Sequence, residues 1–244
     1  MSLKIGILAT GITPDDLIDT YGSYSDMFMN LFGQAGYEFD YETFDVRDNV
    51  LPDSTGSCDA WIITGSKSNV YENAPWMVRL KNLILEIYST ARPMVGICFG
   101  HQIIAEAFGA DVNKYPNGWG VGLHTYQLEK TVPELAGLQG QFTLSAMHQD
   151  QVLTKPKQAE VIAYSSFCPL AALQYDNCIL TLQAHPEFNV DFESRLVASR
   201  RDNPIPPAAV DEALAGLNDE SADTDSLQVA HWMASFLQQG SKRV

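Results

Sequence analysis

Pro93-Met94-Val95-Gly96-Ile97-Cys98-Phe99-Gly100-His101-Gln102 is an apolar run that stops at a cysteine and continues at once as a helix. Met94 to Ile97 reads as a short buried strand. Phe99 to about Phe108 reads as a helix, with Gly109 closing it. Gly96 and Gly100 flank the cysteine two residues away on either side, the spacing of a nucleophile elbow with cysteine in place of serine. A side chain at such a turn projects alone at the carboxyl end of a sheet. The backbone there is strained and its neighbours are crowded, so glycine fits at 96 and 100. The helix start adds unpaired N–H groups and a positive dipole end, which favour a thiolate over a thiol. The Phe99 N–H is a natural oxyanion donor. Gly65-Ser66-Lys67-Ser68-Asn69 leaves the sheet on the same edge and is the candidate for the second donor.

A thiolate needs a base. Of the five histidines, His231 sits in a C-terminal amphipathic pattern and His124 in a strand without an acid two residues on. His101 lies on the elbow helix and reads as packing or lid contact, and His148 as lining a site. His185 follows the apolar run Ile179-Leu180-Thr181-Leu182, and Glu187 is two residues beyond it. On extended backbone those two side chains share a side, so the carboxylate can fix the imidazole tautomer. Pro186 fixes φ between them.

Away from the elbow, strands and helices alternate. Lys4–Ala9, Tyr37–Glu42 and Ala60–Thr64 read as strands. Ser23 caps a helix that runs to about Ala35, and Pro75 opens another whose stripe is Met77, Leu80, Leu83, Ile84 and Ile87. This alternation predicts a mainly parallel sheet with helices on both faces. After Asp111 the strand candidates Val121–Leu128, Phe142–Met147, Val161–Tyr164, Leu170–Tyr175 and Ile179–Gln183 follow with weak helical patterns between them, which predicts an antiparallel edge. Beyond Asp202-Asn203-Pro204-Ile205-Pro206-Pro207 two amphipathic helices remain. The second ends at Gly240, with Lys242-Arg243 at its negative dipole end.

The chain has 244 residues, 45% of them hydrophobic, enough for a real core. Its net charge of −15 makes nucleic acid or an anionic membrane an odd partner. No run is long enough to span a membrane and no signal peptide is evident. The four cysteines form neither a disulfide framework nor a zinc spacing. A cytoplasmic protein without metal or cofactor is expected.

Gly96-Ile97-Cys98-Phe99-Gly100-His101-Gln102 together with His185-Pro186-Glu187 resembles the class I (triad) glutamine amidotransferases. The resemblance spans about Lys4 to Arg200, and it is nearest to stand-alone relatives of the GMP synthetase amidotransferase domain. It implies Cys98 as nucleophile, His185 as base and Glu187 as its orienting acid. It implies Gly65 and Ser66, with Phe99, as the oxyanion site. Gln102, His148, Gln149 and Asp150 match positions around bound glutamine, the segment Met147 to Asp150 holding its amino-acid end. The expected fold is α/β: a three-layer, flavodoxin-like, mainly parallel sheet with an antiparallel edge and a short C-terminal helical extension. The domain is expected at 1–203 and the extension at 204–244.

The sequence departs from the family pattern at Gly118-Trp119-Gly120-Val121-Gly122, where relatives often carry Gly-x-Glu-x-Gly. It also shows no nucleotide fingerprint for a synthetase domain. Two activities follow from the resemblance. One is hydrolysis of glutamine through a glutamyl thioester, with ammonia passing to a possible separate synthetase subunit. The other is a self-sufficient peptidase acting on γ-glutamyl peptides or conjugates. A non-catalytic interaction module is a third reading, opposed by the intact triad. A cysteine α/β-hydrolase is a fourth, opposed by Glu187 following His185.

Overall fold

Alternation along the strands divides the core in two. Ile5, Ile7, Ile62, Ile97 and Leu182 face one side, while Leu8, Trp61, Met94 and Ile179 face the other. Strands that are apolar on both faces need cover on both. The computed structural model describes residues 2–242, so Arg243 of the predicted basic pair lies outside the described residues.

In chain order the elements are β1 (Lys4–Ala9), α1 (Asp15–Tyr21), α2 (Tyr24–Gln34), β2 (Asp40–Asp45), β3 (Ala60–Ile63) and α3 (Pro75–Ser89). Then come β4 (Met94–Ile97), α4 (Phe99–Ala107), β5 (Val112–Lys114), β6 (Gly120–Leu128), β7 (Gln141–His148) and β8 (Asp150–Val152). The chain continues with β9 (Ala159–Tyr164), β10 (Ala172–Tyr175), β11 (Ile179–Leu182), α5 (Val190–Ser199), α6 (Pro207–Leu217) and α7 (Ser226–Ser241).

β2, β1, β3, β4 and β11 lie side by side and parallel. β10, β9, β6 and β7 continue the same sheet antiparallel. β5 and β8 form a separate two-stranded ribbon. Helices α3 and α4 cover one face, and α2 and α7 the other. The expected three-layer, flavodoxin-like α/β fold with an antiparallel edge is what the chain adopts. Among the described residues, no helix is long and apolar enough to cross a membrane.

Local chemistry accounts for the boundaries. Ser23 Oγ accepts from the Asp26 N–H at 3.1 Å and the Asp26 carboxylate accepts from the Ser23 N–H at 2.8 Å, a reciprocal cap that starts α2. The C-terminal helices fold back onto the body. Val229, Met233 and Leu237 of α7 are fully buried against the face that α2 also covers. Each such side chain contributes about 1.5–3 kcal/mol.

Ile179–Leu182, expected with the antiparallel strands, instead pairs parallel with β4 as β11, and four further readings are corrected. β2 begins at Asp40, paired with Lys4, so Tyr37 and Phe39 precede it. Those two rings stack on each other at 5.5 Å instead of alternating in a strand. α1 lacks a sequence signature because Leu17 is its one buried residue. α5 is absent from the sequence expectations although it has a signature: an Asn189 cap followed by Phe192, Leu196 and Val197. Gly240 does not end α7. It lies where the helix passes Pro93 so closely that a Cβ would come within 2.5 Å of the Pro93 Cβ.

Candidate active site

Parallel pairing puts the two motifs on one edge. Leu182 lies opposite Ile97 in the β4–β11 ladder, and the Cys98 N–H donates to the Leu182 carbonyl at 2.8 Å. Cys98 and His185 therefore both leave the sheet at its carboxyl end. Cys98 has φ 53° and ψ −103°, unusual for a residue with a side chain. Such strain persists where surroundings enforce it. A Cβ at position 100 would lie 2.4 Å from the Ile63 carbonyl oxygen, and one at 96 would lie 2.5 Å from the Ile104 side chain. The helix can thus turn at Cys98 only with glycine at both places. α4 starts at Phe99, so its first N–H groups have no partner within the helix.

His185 Nδ1 and Glu187 Oε1 are 2.8 Å apart, and both side chains are buried. Burial alone lowers the imidazole pKa. The Glu187 carboxylate and the Cys98 sulfur outweigh it, so the pKa is held well above its ordinary value. The ring stacks on Phe188, with centroids 4.0 Å apart. Ser145 of β7 fixes the turn from both ends: its carbonyl accepts from the His185 N–H at 2.9 Å and its hydroxyl donates to the Phe188 carbonyl at 3.0 Å. Gly65 closes the site from β3. A Cβ there would come within 2.8 Å of His185 Cε1 and 3.7 Å of Cys98 Cβ. The Thr10 hydroxyl anchors this loop through the carbonyls of Thr64 and Gly65.

A sulfur at a helix start, an imidazole oriented by a carboxylate and a close backbone loop can together perform acyl transfer. The family model described as glutamine amidotransferase class-I matches residues 16–198. The chain belongs to the class I glutamine amidotransferase family. Gamma-glutamyl peptidase 3 of Arabidopsis thaliana is 30% identical over 186 residues, covering 73% of this chain and 74% of that protein. A glutamine-hydrolyzing GMP synthase subunit of Methanococcus maripaludis is 28% identical over 144 residues, covering 59% and 76%. A glutamine amidotransferase crystal structure from Thermotoga maritima shares the fold at a TM-score of 0.74 and 17% identity, over 99% of each chain.

Apart from Gly65 and the buried Phe99, the remaining positions suggested by resemblance to the class I amidotransferases line one cleft of about 430 Å³ with Cys98 and His185. Ser66, Gln102, His148, Gln149 and Asp150 all border it, and Gly65 lies behind them against the imidazole. The Gln102 amide nitrogen is already engaged, donating to the Asp150 carbonyl at 2.9 Å and Gln183 Oε1 at 3.1 Å. Burial pushes His148 down to about 3, aided by the other histidines, so the ring is neutral. Burial raises the Asp150 carboxyl, with Lys114 opposing it. His101 is not a lid: it is fully buried, with Nδ1 2.8 Å from the Thr181 hydroxyl.

At Gly120 the acid common in class I amidotransferases is excluded by packing. A Cβ there would lie 2.8 Å from the Phe167 ring and 3.0 Å from His148 Nε2. A carboxylate reaches this strand from elsewhere instead. Glu193 on α5 is fully buried, and its Oε1 accepts from the Gly122 N–H at 3.2 Å. Burial raises its pKa to about 8, with nearby His185 opposing the rise. Sequence reading missed Glu193, and also Tyr24, Trp119 and Arg200 in the cleft wall. Tyr24 opens an element far in sequence from both motifs, whereas Glu193 and Arg200 lie on and at the end of α5, which starts three residues after Glu187.

Proposed function

We propose that the protein hydrolyses a γ-glutamyl amide through a glutamyl thioester on Cys98. The observation that carries this is the Cys98 backbone, held at φ 53° directly before α4 and beside an imidazole whose other nitrogen meets Glu187 at 2.8 Å. Cys98 passes its proton to His185, and the sulfur attacks the amide carbon, forming an S–C bond. The Phe99 N–H and the Gly65-Ser66 loop hold the resulting oxyanion. The C–N bond breaks as the imidazolium gives its proton to the nitrogen. Water then adds to the thioester, its proton passes to His185, the S–C bond breaks, and the proton returns to sulfur as glutamate leaves. Gln102, His148, Gln149 and Asp150 hold the amino-acid end of the glutamyl group, and no cofactor is needed.

Two leaving groups fit these steps. With glutamine the product is ammonia, which a separate synthetase subunit could accept. With a γ-glutamyl peptide the product is an amine, and water completes the reaction. The second is favoured by the cleft, which continues past Cys98 and His185 to Arg200, Asn203 and Ile205, further than ammonia requires. Matches to two γ-glutamyl peptidases from Arabidopsis thaliana, over 73% and 69% of the chain, support it as well.

The test is to supply purified protein with glutamine and with γ-glutamyl dipeptides, and to follow ammonia, amine and glutamate. Turnover lost in Cys98→Ala is expected, with dipeptides faster than glutamine. Equal rates in wild type and Cys98→Ala on every substrate would end the reading.

A further inference from the structure

The cleft is built from two sets of elements. Gln102 on α4, Lys114 on β5 and Asp150 on β8 belong together: Lys114 pairs with Asp150 across the ribbon, and Gln102 donates to the Asp150 carbonyl. The second set is Tyr24 at the start of α2, Phe188, Leu196 and Arg200 on and around α5, and Asn203 to Ile205. His185 joins this second set through its stack on Phe188, which in turn lies 5.5 Å from the Tyr24 ring. The imidazolium delivers its proton to the departing nitrogen, so the leaving group sits along this wall.

The wall is apolar except at its end. Arg200 caps α5, and its carbonyl accepts from the N–H groups of both Asn203 and Ile205 at 3.1 Å, which folds that segment over the helix end. The neighbouring Arg201 is engaged by Asp211. Arg200 itself has no ion pair and no side-chain hydrogen bond among the described residues. Its charge reaches Tyr24. Burial, together with the Glu187 and Cys98 charges, raises the Tyr24 pKa, so the hydroxyl stays protonated and available as a donor. Arg200 is thus an uncommitted guanidinium in a chain of net charge −15, lining the reaction cleft together with the half-buried Tyr24, the combination that suits recognition of a carboxylate.

We propose that Arg200, with the Tyr24 hydroxyl, binds a carboxylate on the leaving amine, so that the substrate class is γ-glutamyl peptides ending in a free carboxylate. This rests on the hydrolase reading above. It goes further by naming the side of the cleft and the group that selects the amine.

The experiment compares kcat and KM for a γ-glutamyl dipeptide with a free C-terminal carboxylate, the same dipeptide as its C-terminal amide, and glutamine. Wild type, Arg200→Gln, Arg200→Lys, Tyr24→Phe and Arg201→Gln are each checked for an unchanged melting transition. A charged hydrogen bond is worth about 1.5–3 kcal/mol, so wild type should prefer acid over amide by on the order of 10-fold to 100-fold in kcat/KM. Arg200→Gln should bring that ratio near one, mainly through KM. Arg200→Lys should restore part of it, Tyr24→Phe should lower it, and Arg201→Gln should keep it. A wild type indifferent to the carboxylate, or an Arg200→Gln that slows acid and amide equally, overturns the subsite while leaving the hydrolase reading intact. Absence of turnover on all three substrates overturns both.

Discussion

Cys98 is one of four cysteines, and its surroundings separate it from two of the others. Burial pushes the Cys58 thiol up to about 11 and the Cys168 thiol up to about 12. Cys98 lies at a helix start beside His185. Brief alkylation near neutral pH, mapped by peptide mass, should therefore modify Cys98 before Cys58 or Cys168. Equal modification would contradict a sulfur activated by its partner. Gly65 offers a test that removes no reacting atom. A methyl group there would press on the imidazole. Gly65→Ala should lower kcat by on the order of 100-fold, as expected for displacing a catalytic group by about 1 Å. A Gly65→Ala enzyme with wild-type kcat would show that the loop does not fix His185. The elbow and the His-Pro-Glu tripeptide were legible in sequence because each is local, a few residues with a fixed geometry. Ser145, which holds the tripeptide from both ends, was not legible, because its role exists only once β7 lies beside position 185.

At the level of elements, α5 does more than its sequence advertises. It carries Phe192 and Leu196 toward the site, Arg200 to the cleft, and Glu193 into the interface with β6. The Glu193 carboxyl has its pKa raised from 4.5 to about 8, chiefly by burial. The folded state therefore binds that proton more tightly than the unfolded state. The resulting stability is full below about pH 4.5 and is lost as the pH rises toward about 8. Glu193→Gln keeps an acceptor for the Gly122 N–H and removes the titration. Its melting temperature should exceed that of wild type by a larger margin above about pH 8 than below about pH 4.5. A pH-independent difference would contradict a buried titrating acid. Elements with a wide apolar stripe, such as α3, could be read from the sequence. α1 could not, and β2 slid by three residues, because pairing with β1 rather than the Tyr37-Phe39 alternation sets where it starts.

Over the whole molecule, the chain's order hides how its ends meet. α7, at the C-terminus, packs on the same sheet face as α2, near the N-terminus. A sequence pattern gives the stripe on α7 but not the surface it covers. Met233 is fully buried in that contact, so Met233→Ala should lower the unfolding free energy by about 2–5 kcal/mol. Chemical denaturation would read this directly, and a change below about 0.5 kcal/mol would place α7 outside the cooperative core. Four of the five parallel strands were legible from alternating elements, whereas β11, which lies in the stretch read as antiparallel, pairs parallel with β4. The order of the antiparallel half was not legible, since β6 pairs with both β7 and β9 and no local signal fixes that choice.

The measurement that bears hardest on the chemistry is mass spectrometry of the protein quenched in acid during turnover of a γ-glutamyl dipeptide. The expected result is a mass increase of one glutamyl residue, carried by the peptide containing Cys98 and absent from Cys98→Ala. A glutamyl adduct on another residue, or undiminished turnover by Cys98→Ala, would contradict the thioester on Cys98.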